Sequence, residues 1–255
     1  EDNPQITLDE KDYLKRQYHG VWYKRYIDGL WVQAEGAVYD FFDTNIHILK
    51  NVPETVEEYI VGIDYGTTNP CAFVLIGIDR RRFPHIWVAK EYYFDSKIHQ
   101  RQKTDSEYAE DLRRFIYQLP ISAIYLDPSA VSFRIELRRI GVENVYEANN
   151  DVLDGIRFTG DLIKNGTLKI GYECENLIKE IQSYSWDTKA AQRGVEKPMK
   201  QNDHALDALR YACFTHLKKH SKDAPTAQEW DQIYKETRQG SPELPSFFRD
   251  DHQRF

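Results

Sequence analysis

Three aspartates lie where the surrounding sequence predicts buried apolar side chains. Asp64 and Asp127 each end a short apolar run, and Asp207 lies inside the Ala/Leu-rich segment 204–209. Burying a carboxylate is costly unless it is paired or bound to a metal ion. Taken singly, each aspartate also suits a structural role, either in a turn after a strand or in an i,i+3 ion pair with Arg210. Two of the three end predicted strands, where open α/β sheets place their ligand crevice, so together they indicate a functional site.

The side chains at these positions suit hard divalent cations. His204 precedes Asp207 by one helical turn and therefore lies on the same face of the predicted helix. Three carboxylates and an imidazole favour Mg²⁺ or Mn²⁺, because both ions prefer oxygen ligands and Mn²⁺ also accepts nitrogen. Two such ions about 4 Å apart can stabilise the attacking and leaving oxygens of a phosphodiester displacement. We therefore predict a two-metal site in which Asp64 bridges both ions.

The sequence pattern predicts one α/β domain that positions these residues. Three strands at 59–64, 71–78 and 86–94 are separated by turn residues and form a meander. A central strand at 123–127 is apolar on both faces, which is typical of a buried strand. The other predicted elements are helices at 105–118 and before Gly141, a strand at 142–148, and helices at 151–164, 173–183 and 202–218. This order predicts a mixed central β-sheet flanked by helices over residues 56–220.

Composition limits the class of protein. The 255 residues carry 34 Lys and Arg against 41 Asp and Glu, for a net charge of −7, and no apolar run approaches the ~18 residues of a membrane span. The three cysteines form no Cys-x-x-Cys motif, which argues against a thiolate zinc site and fits a reducing cytosol. The acidic balance argues against nucleic acid as a partner. Bound cations would add positive charge that this count omits.

Three segments that contain the aspartates resemble one family. Residues 59–66, 125–129 and 202–211 resemble the C-terminal nuclease domain of tailed-bacteriophage large terminases. Residues 29–40 resemble the segment that joins the family's ATPase domain to its nuclease, and residues 150–156 resemble the stretch between the second and third acids. The resemblance covers residues 13–217, and the acidic motifs occur in family order.

The resemblance implies an RNase H-like fold and a two-metal endonuclease that uses Mg²⁺ or Mn²⁺, with low sequence specificity. Asp64, Asp127 and Asp207 match the family's metal ligands, and His204 matches a position that is histidine in several members. Asp203 matches a common Asp-His pair, although an aspartate at the start of a helix equally suits an N-cap.

The resemblance also implies partners and a domain order. No Gly-rich phosphate loop ending in Gly-Lys-Ser/Thr occurs, so we expect no ATPase activity from this chain. We expect residues 1–55, with a helix at 8–28, to be the end of a missing ATPase domain and a linker, and 221–255 to be a polar tail. Because the chain starts at Glu1 and its single methionine is Met199, we expect it to be a piece of a longer protein. The implied partners are double-stranded DNA, the portal protein, the small terminase subunit and the N-terminal ATPase domain, in the host cell cytoplasm, with transient binding to the procapsid and no membrane.

A basic segment leads into the helix that carries His204 and Asp207. It contains Lys189, Arg193, Lys197 and Lys200. These cations could hold the DNA backbone beside an acidic metal site, or form a solvated loop. We expect Lys200 to come closest to the scissile phosphate.

Three alternatives remain open. A junction resolvase or an RNA:DNA hybrid nuclease would share the fold and the chemistry. The chain could also serve mainly as a docking module for the portal or motor, with weak nuclease activity. Residues 62–69 resemble the first phosphate loop of actin-like ATPases, but the second phosphate loop of that fold is absent from the sequence.

Overall fold

The computed structural model describes residues 23, 36–54, 56–81 and 83–220, without the side chains of 219 and 220. Apart from residue 23, the predicted helix at 8–28 lies outside the described residues, as does the predicted tail at 221–255. In chain order the elements are α1 (Thr44–His47), β1 (Ile48–Leu49), β2 (Glu58–Asp64), β3 (Cys71–Ile78), β4 (Ile86–Phe94), α2 (Asp105–Phe115), β5 (Ile121–Leu126), α3 (Val131–Arg139), β6 (Val145–Glu147), α4 (Val152–Lys164), β7 (Leu168–Gly171), α5 (Glu175–Ser183), α6 (Thr188–Ala191) and α7 (His204–His220).

The strands form one mixed sheet in the order β1-β7-β4-β3-β2-β5-β6. The predicted meander is confirmed, because β3 pairs antiparallel with both β2 and β4. On one side β5 and β6 continue parallel to β2, and on the other β7 and β1 continue parallel to β4. The carboxyl ends of β2 and β5 therefore meet at one edge of the sheet, with Ile63 beside Leu126.

Helices cover both faces of the sheet, as the predicted α/β class requires. Alternate residues of a strand point to opposite faces. Ile60 of β2 packs in the core that contains Ile156 of α4, Leu177 of α5 and Leu209 of α7, whereas its neighbour Val61 packs in the core formed by α2 and α3. The capping box predicted at Thr104 is present at the start of α2. No helix in the described ranges is long and apolar enough to cross a membrane.

Helix α7 packs directly on the centre of the sheet, against β2, β3 and β5. Gly62 permits this approach, because a Cβ atom at this position would overlap the carbonyl oxygen of Ala208. Helices α4 and α5 also pack against α7. Described residues 205–217 of α7 are consequently all buried, so the helix lacks a solvent-facing stripe along this stretch.

The predicted elements within the described residues are confirmed, except for the bounds of one strand and the presence of four short elements. Strand β6 runs only from Val145 to Glu147, shorter than the predicted 142–148. Strands β1 and β7 and helices α1 and α6 were not predicted, and the parallel pair β1–β7 was missed with them. Each of these elements has four residues or fewer, too short for a hydrophobic period. Their partners lie far along the chain, so the sheet rather than the local sequence determines them.

The C-terminal part of α7 belongs to a polar network that should make the stability of the domain depend on pH under acidic conditions. Glu58 contacts Arg80 Nη2 at 2.9 Å and His216 Nε2 at 3.2 Å, and His216 Nδ1 lies 2.9 Å from the Tyr125 hydroxyl. Burial acts to raise the pKa of Glu58, but the hydrogen bond and charge of His216, with the charge of Arg80, lower the pKa to about 2. The pKa is therefore depressed from 4.5, so the contribution to stability is complete above about pH 4.5 and is lost as the pH falls towards 2.

We predict that Glu58→Gln lowers the free energy of unfolding near neutral pH, because His216 and Arg80 lose the carboxylate that they share. The difference between wild type and variant should shrink between pH 4.5 and pH 2. Urea denaturation at several pH values measures this difference. Glu143→Gln, an exposed site, is the control, and a difference from wild type that does not change with pH would contradict the assignment.

Candidate active site

The first acid of the site is held by the last helix of the domain. Asp64 is the final residue of β2, and its Oδ2 lies 2.8 Å from Nδ1 of His204, the first residue of α7. Burial raises the pKa of Asp64 and the hydrogen bond from His204 opposes this, while the charges of Asp207 and Asp127 raise it further. All three aspartates predicted to bind metal therefore act on one another electrostatically at this edge of the sheet.

Asp127 follows directly after β5, where the parallel register places it beside the end of β2. Its Oδ1 accepts hydrogen bonds from the backbone N–H of Ser129 at 2.8 Å and from the Ser129 hydroxyl at 2.5 Å. Its Oδ2 accepts from the hydroxyl of Tyr211 in α7 at 2.9 Å. Burial alone would raise the pKa of Asp127, but these hydrogen bonds and the charge of Arg210 lower it, so the carboxylate is held in its ionised form.

Asp207 is buried and clamped by Arg210 one turn later. Its Oδ1 accepts from Nη2 at 2.9 Å and from Nε at 3.2 Å, and Arg210 Nη1 also donates to the backbone oxygen of Asp151 at 3.0 Å. Gly155 of α4 leaves room for this arginine, because an added Cβ would lie 2.8 Å from its Cγ and Cδ atoms. The ion pair with Arg210 fixes the carboxylate of Asp207 at the site. The structural role of Asp207 as a partner of Arg210 is therefore compatible with its proposed role as a metal ligand.

Asp203 contributes a fourth carboxylate, which is buried like that of Asp207. Its Oδ2 is buried without a hydrogen-bond partner among the described residues, and burial followed by the charge of Asp207 raises its pKa. The N–H of Leu206, which an N-cap aspartate would accept, donates instead to Glu180 at 2.9 Å. The carbonyl of Asp203 accepts the N–H of Asp207 at 2.7 Å, so its backbone occupies the N-cap position, but its side chain does not accept the N–H of Leu206. The carboxylate lies instead near the charges of Asp207, Lys200, His204 and Asp64. We call Asp64, Asp127, Asp203 and Asp207 the acidic cluster.

The acidic cluster fits a hard divalent cation chemically, although its side chains now bond to protein groups. Within the described ranges, no group of three or more His, Cys, Asp or Glu side chains stands ready to hold an ion. The oxygens instead face His204, Arg210, Ser129 and Tyr211. The unpartnered Oδ2 of Asp203 and the mutual repulsion at Asp64 are what a cation would relieve.

The basic segment folds back on itself next to the acidic cluster. Asp187 N donates to Lys197 O at 3.0 Å and Met199 N donates to Ser185 O at 2.9 Å, which closes a loop that contains α6. Lys200, largely exposed, reaches Asp207 Oδ2 at 3.6 Å. Lys197 pairs with Asp187 at 3.7 Å instead. No ion pair within the described part of the chain joins the other two predicted cations, Lys189 and Arg193, to the acidic cluster.

Sequence reasoning missed two side chains that touch this site and one that supports it. Tyr211 lies one turn after Asp207 on the same helix face, a spacing that could have identified it. Arg210 was considered only as a structural partner. Glu180 lies among the buried residues Leu177 and Ile181 of α5, so it is an acid on an apolar face, the same signal that identified Asp64.

Comparisons with known proteins agree with this geometry. Residues 137–214 match the family described as the terminase RNase H-like domain. The large terminase of a thermophilic bacteriophage, solved in complex with ADP, is 44% identical, with a TM-score of 0.78 over 85% of this chain and 54% of that one. The terminase large subunit of Escherichia phage T5 is 25% identical over 84% of this chain and 50% of its own length.

A further likeness concerns the fold. The nuclease domain of the bacteriophage SPP1 large terminase, solved with bound Mn, has a TM-score of 0.50 at 18% identity, over 71% of this chain and 97% of that one. The chain spans about half the length of the ADP-bound terminase and of the T5 protein. The mixed sheet, the order of the acidic motifs and these likenesses agree, and the chain belongs to the family of phage large-terminase RNase H-like domains.

Proposed function

We propose that this domain is a divalent-metal-dependent DNA endonuclease that cleaves concatemeric viral DNA during genome packaging. The observation that carries the proposal is the convergence of Asp64, Asp127 and Asp207 at one edge of the sheet, where burial, and then the charges of the other two, raise the pKa of Asp64. Carboxylates that raise one another's pKa in this way are typical of a functional site, and a bound cation would relieve their repulsion.

Asp64, Asp127, Asp207 and His204 would hold two cations, Mg²⁺ or Mn²⁺, with Asp203 as a further candidate ligand. When bound, such cations supply the electrophilic stabilisation that phosphodiester hydrolysis requires. The SPP1 nuclease domain with bound Mn supports this choice of metal. His204 uses Nδ1 on Asp64, which leaves Nε2 as the nitrogen available to an ion.

The chain's own contribution is to hold these groups in place before substrate arrives. Arg210 fixes Oδ1 of Asp207 and leaves Oδ2 towards the exposed side, where Lys200 lies. Ser129 and Tyr211 hold Asp127 from two sides. Carboxylates that are anchored before substrate binds need little reorganisation during the reaction. Such preorganisation is the main source of electrostatic catalysis.

The basic segment with Lys189, Arg193, Lys197 and Lys200 would bind the DNA backbone. Cations on a loop contact phosphates without reading base edges, so sequence specificity should be low. Lys200 is the member beside the acidic cluster, so it is placed to contact the scissile phosphate.

We predict that Lys200→Gln reduces the cleavage rate several-fold at moderate salt and lowers the salt dependence by about one phosphate contact. Stability should change little, because the ammonium group of Lys200 is largely exposed and lies 3.6 Å from Asp207, which makes the pair weak. Cleavage rates from about 50 to 200 mM salt measure the effect. Lys197→Gln is the matched control from the same loop, and an equal loss in both variants would contradict the special position of Lys200.

In the virus, this domain would act with the portal protein, the small terminase subunit and an N-terminal ATPase domain, in the host cell cytoplasm. Residues 1–55 would join the ATPase domain to the nuclease at 56–220, with 221–255 as a tail. The chain itself should not hydrolyse ATP, since it lacks the phosphate-binding loop.

Supercoiled plasmid incubated with the chain tests this function. We expect nicking and linearisation with Mn²⁺ or Mg²⁺, 5′-phosphate ends, and no cleavage with a chelator. Failure to cut with either ion would contradict the proposal and favour a docking role. Faster cutting of four-way junctions or RNA:DNA hybrids than of plain duplex would favour the related nucleases instead.

A further inference from the structure

Among the described residues, no side chain just before α7 accepts the first N–H groups of this helix, which carries His204 and Asp207. The first N–H groups of a helix have no partner inside the helix and need acceptors from elsewhere. At α7 that acceptor comes from another helix, because Glu180 of α5 accepts the N–H of Leu206 through Oε2 at 2.9 Å. The N–H of Ala205 is also directed at this carboxylate.

A third element fixes the orientation of Glu180. The hydroxyl of Tyr93, in β4, donates to Oε1 of Glu180 at 2.9 Å. Glu180 belongs to α5 and accepts hydrogen bonds from Leu206 of α7 and from Tyr93 of β4. It therefore links one strand of the sheet to two helices. The residue is only 3% exposed, so water cannot replace these contacts at little cost.

We propose that Glu180, oriented by Tyr93, is a positioning residue for the nuclease reaction, because it fixes the first turn of α7 and thereby the placement of His204 and Asp207 relative to Asp64. The proposal rests on the proposed function. Glu180 accepts the Leu206 N–H, which an N-cap side chain at Asp203 would otherwise accept, and Oδ2 of Asp203 is left without a hydrogen-bond partner among the described residues.

The consequence for catalysis follows from the position of the contact. Leu206 lies between His204 and Asp207, so a rotation or shift of this turn moves both side chains together. A displacement of about 1 Å at a catalytic group can cost on the order of 100-fold in rate. If the cap only stabilised the fold, its removal would not lower kcat of the molecules that remain folded.

Four variants separate positioning from stability. Glu180→Leu removes the contacts of the carboxylate with Leu206, Ala205 and Tyr93, and Tyr93→Phe removes only the orienting hydroxyl. Glu180→Gln retains the shape, because its amide oxygen can accept from Leu206 while its NH₂ group donates to Tyr93. Thr104→Ala is the matched control, since it removes the cap of α2 on the opposite face of the sheet.

The experiment measures kcat and KM for plasmid cleavage, the free energy of unfolding, and amide hydrogen exchange at Ala205 and Leu206. For Glu180→Leu we expect kcat to fall about 100-fold with KM little changed, and Leu206 to exchange faster. Glu180→Gln should remain within about 5-fold of wild type, and Tyr93→Phe should lose a few-fold, in line with one neutral hydrogen bond. Thr104→Ala should lose stability but retain kcat and the exchange rate at Leu206.

Wild-type kcat in folded Glu180→Leu, or an equal loss of kcat in Thr104→Ala, would overturn the proposal. If Glu180→Leu does not fold, Tyr93→Phe decides, since unchanged kcat and unchanged exchange at Leu206 would overturn it. If the wild-type chain does not cut DNA, the nuclease assignment fails. Amide exchange at Leu206 then still tests whether Glu180 caps α7. That assignment is wrong if the exchange rate at Leu206 is the same in wild type, Glu180→Leu and Tyr93→Phe.

Discussion

Replacing Asp64 with asparagine is expected to abolish DNA cleavage while the domain remains folded. Asp64 lies where the charges of Asp127 and Asp207 converge, so its carboxylate is the member of the acidic cluster best placed to share an ion with both. Asparagine has the same shape, and its amide oxygen can still accept from Nδ1 of His204. It lacks the negative charge, so we expect a rate loss of about 100-fold or more, comparable with removal of one preorganised electrostatic group.

The same substitution should not lower stability. The charges of Asp207 and Asp127 disfavour ionised Asp64, so a neutral side chain relieves repulsion in the metal-free protein. Thermal unfolding in chelator should therefore give a Tm equal to or above that of the wild type. Asp154→Asn, in the first turn of α4, is the control and should cut DNA normally. An Asp64→Asn variant that cuts as fast as wild type would exclude this acid from the site.

Replacing Gly62 with alanine is expected to cause the largest loss of stability. The added methyl group would overlap the carbonyl oxygen of Ala208, a backbone atom of α7 that cannot rotate away. The helix must move off β2, and overpacking of a core typically costs about 1–3 kcal/mol, occasionally more. Because α7 carries His204 and Asp207, the shift should also lower the activity of the molecules that remain folded. Urea denaturation and cleavage rates measured below the transition test both effects.

Gly77→Ala is the control that distinguishes a general loss of core packing from a displacement of α7. Its added Cβ would lie 2.7 Å from the ring of Trp87, also in the core, but away from α7. Gly77→Ala should therefore lose stability and retain the cleavage rate of its folded fraction. Equal activity losses in the two variants, or unchanged stability in Gly62→Ala, would contradict the role given to the contact between Gly62 and Ala208.

The acidic residues of the site that could be predicted from sequence lie at the ends of apolar runs or inside them. Asp64 and Asp127 interrupt apolar runs at strand ends, and the conflict between burial and charge is visible without knowledge of the fold. Parallel pairing of β2 with β5 then brings the two acids to one edge, as predicted. The clamp on Asp207 was visible as an i,i+3 pair, but the backbone oxygen of Asp151 that completes it is distant in sequence.

The part that could not be predicted depends on contacts between distant segments. Strand β7 is four residues long, and its pairing with β1 and β4 holds it in the sheet. The acceptor for the Leu206 N–H lies 26 residues earlier in the chain, whereas local reasoning offered only Asp203 as the cap. Tertiary contacts of this kind override a local preference worth about 1 kcal/mol.

Anomalous diffraction from crystals of this domain soaked in Mn²⁺ tests the central claim most directly. We predict anomalous peaks bounded by Asp64, Asp127 and Asp207, and their loss in Asp64→Asn crystals. Crystals that bind Mn²⁺ only elsewhere, while Oδ2 of Asp64 stays on His204, would contradict it.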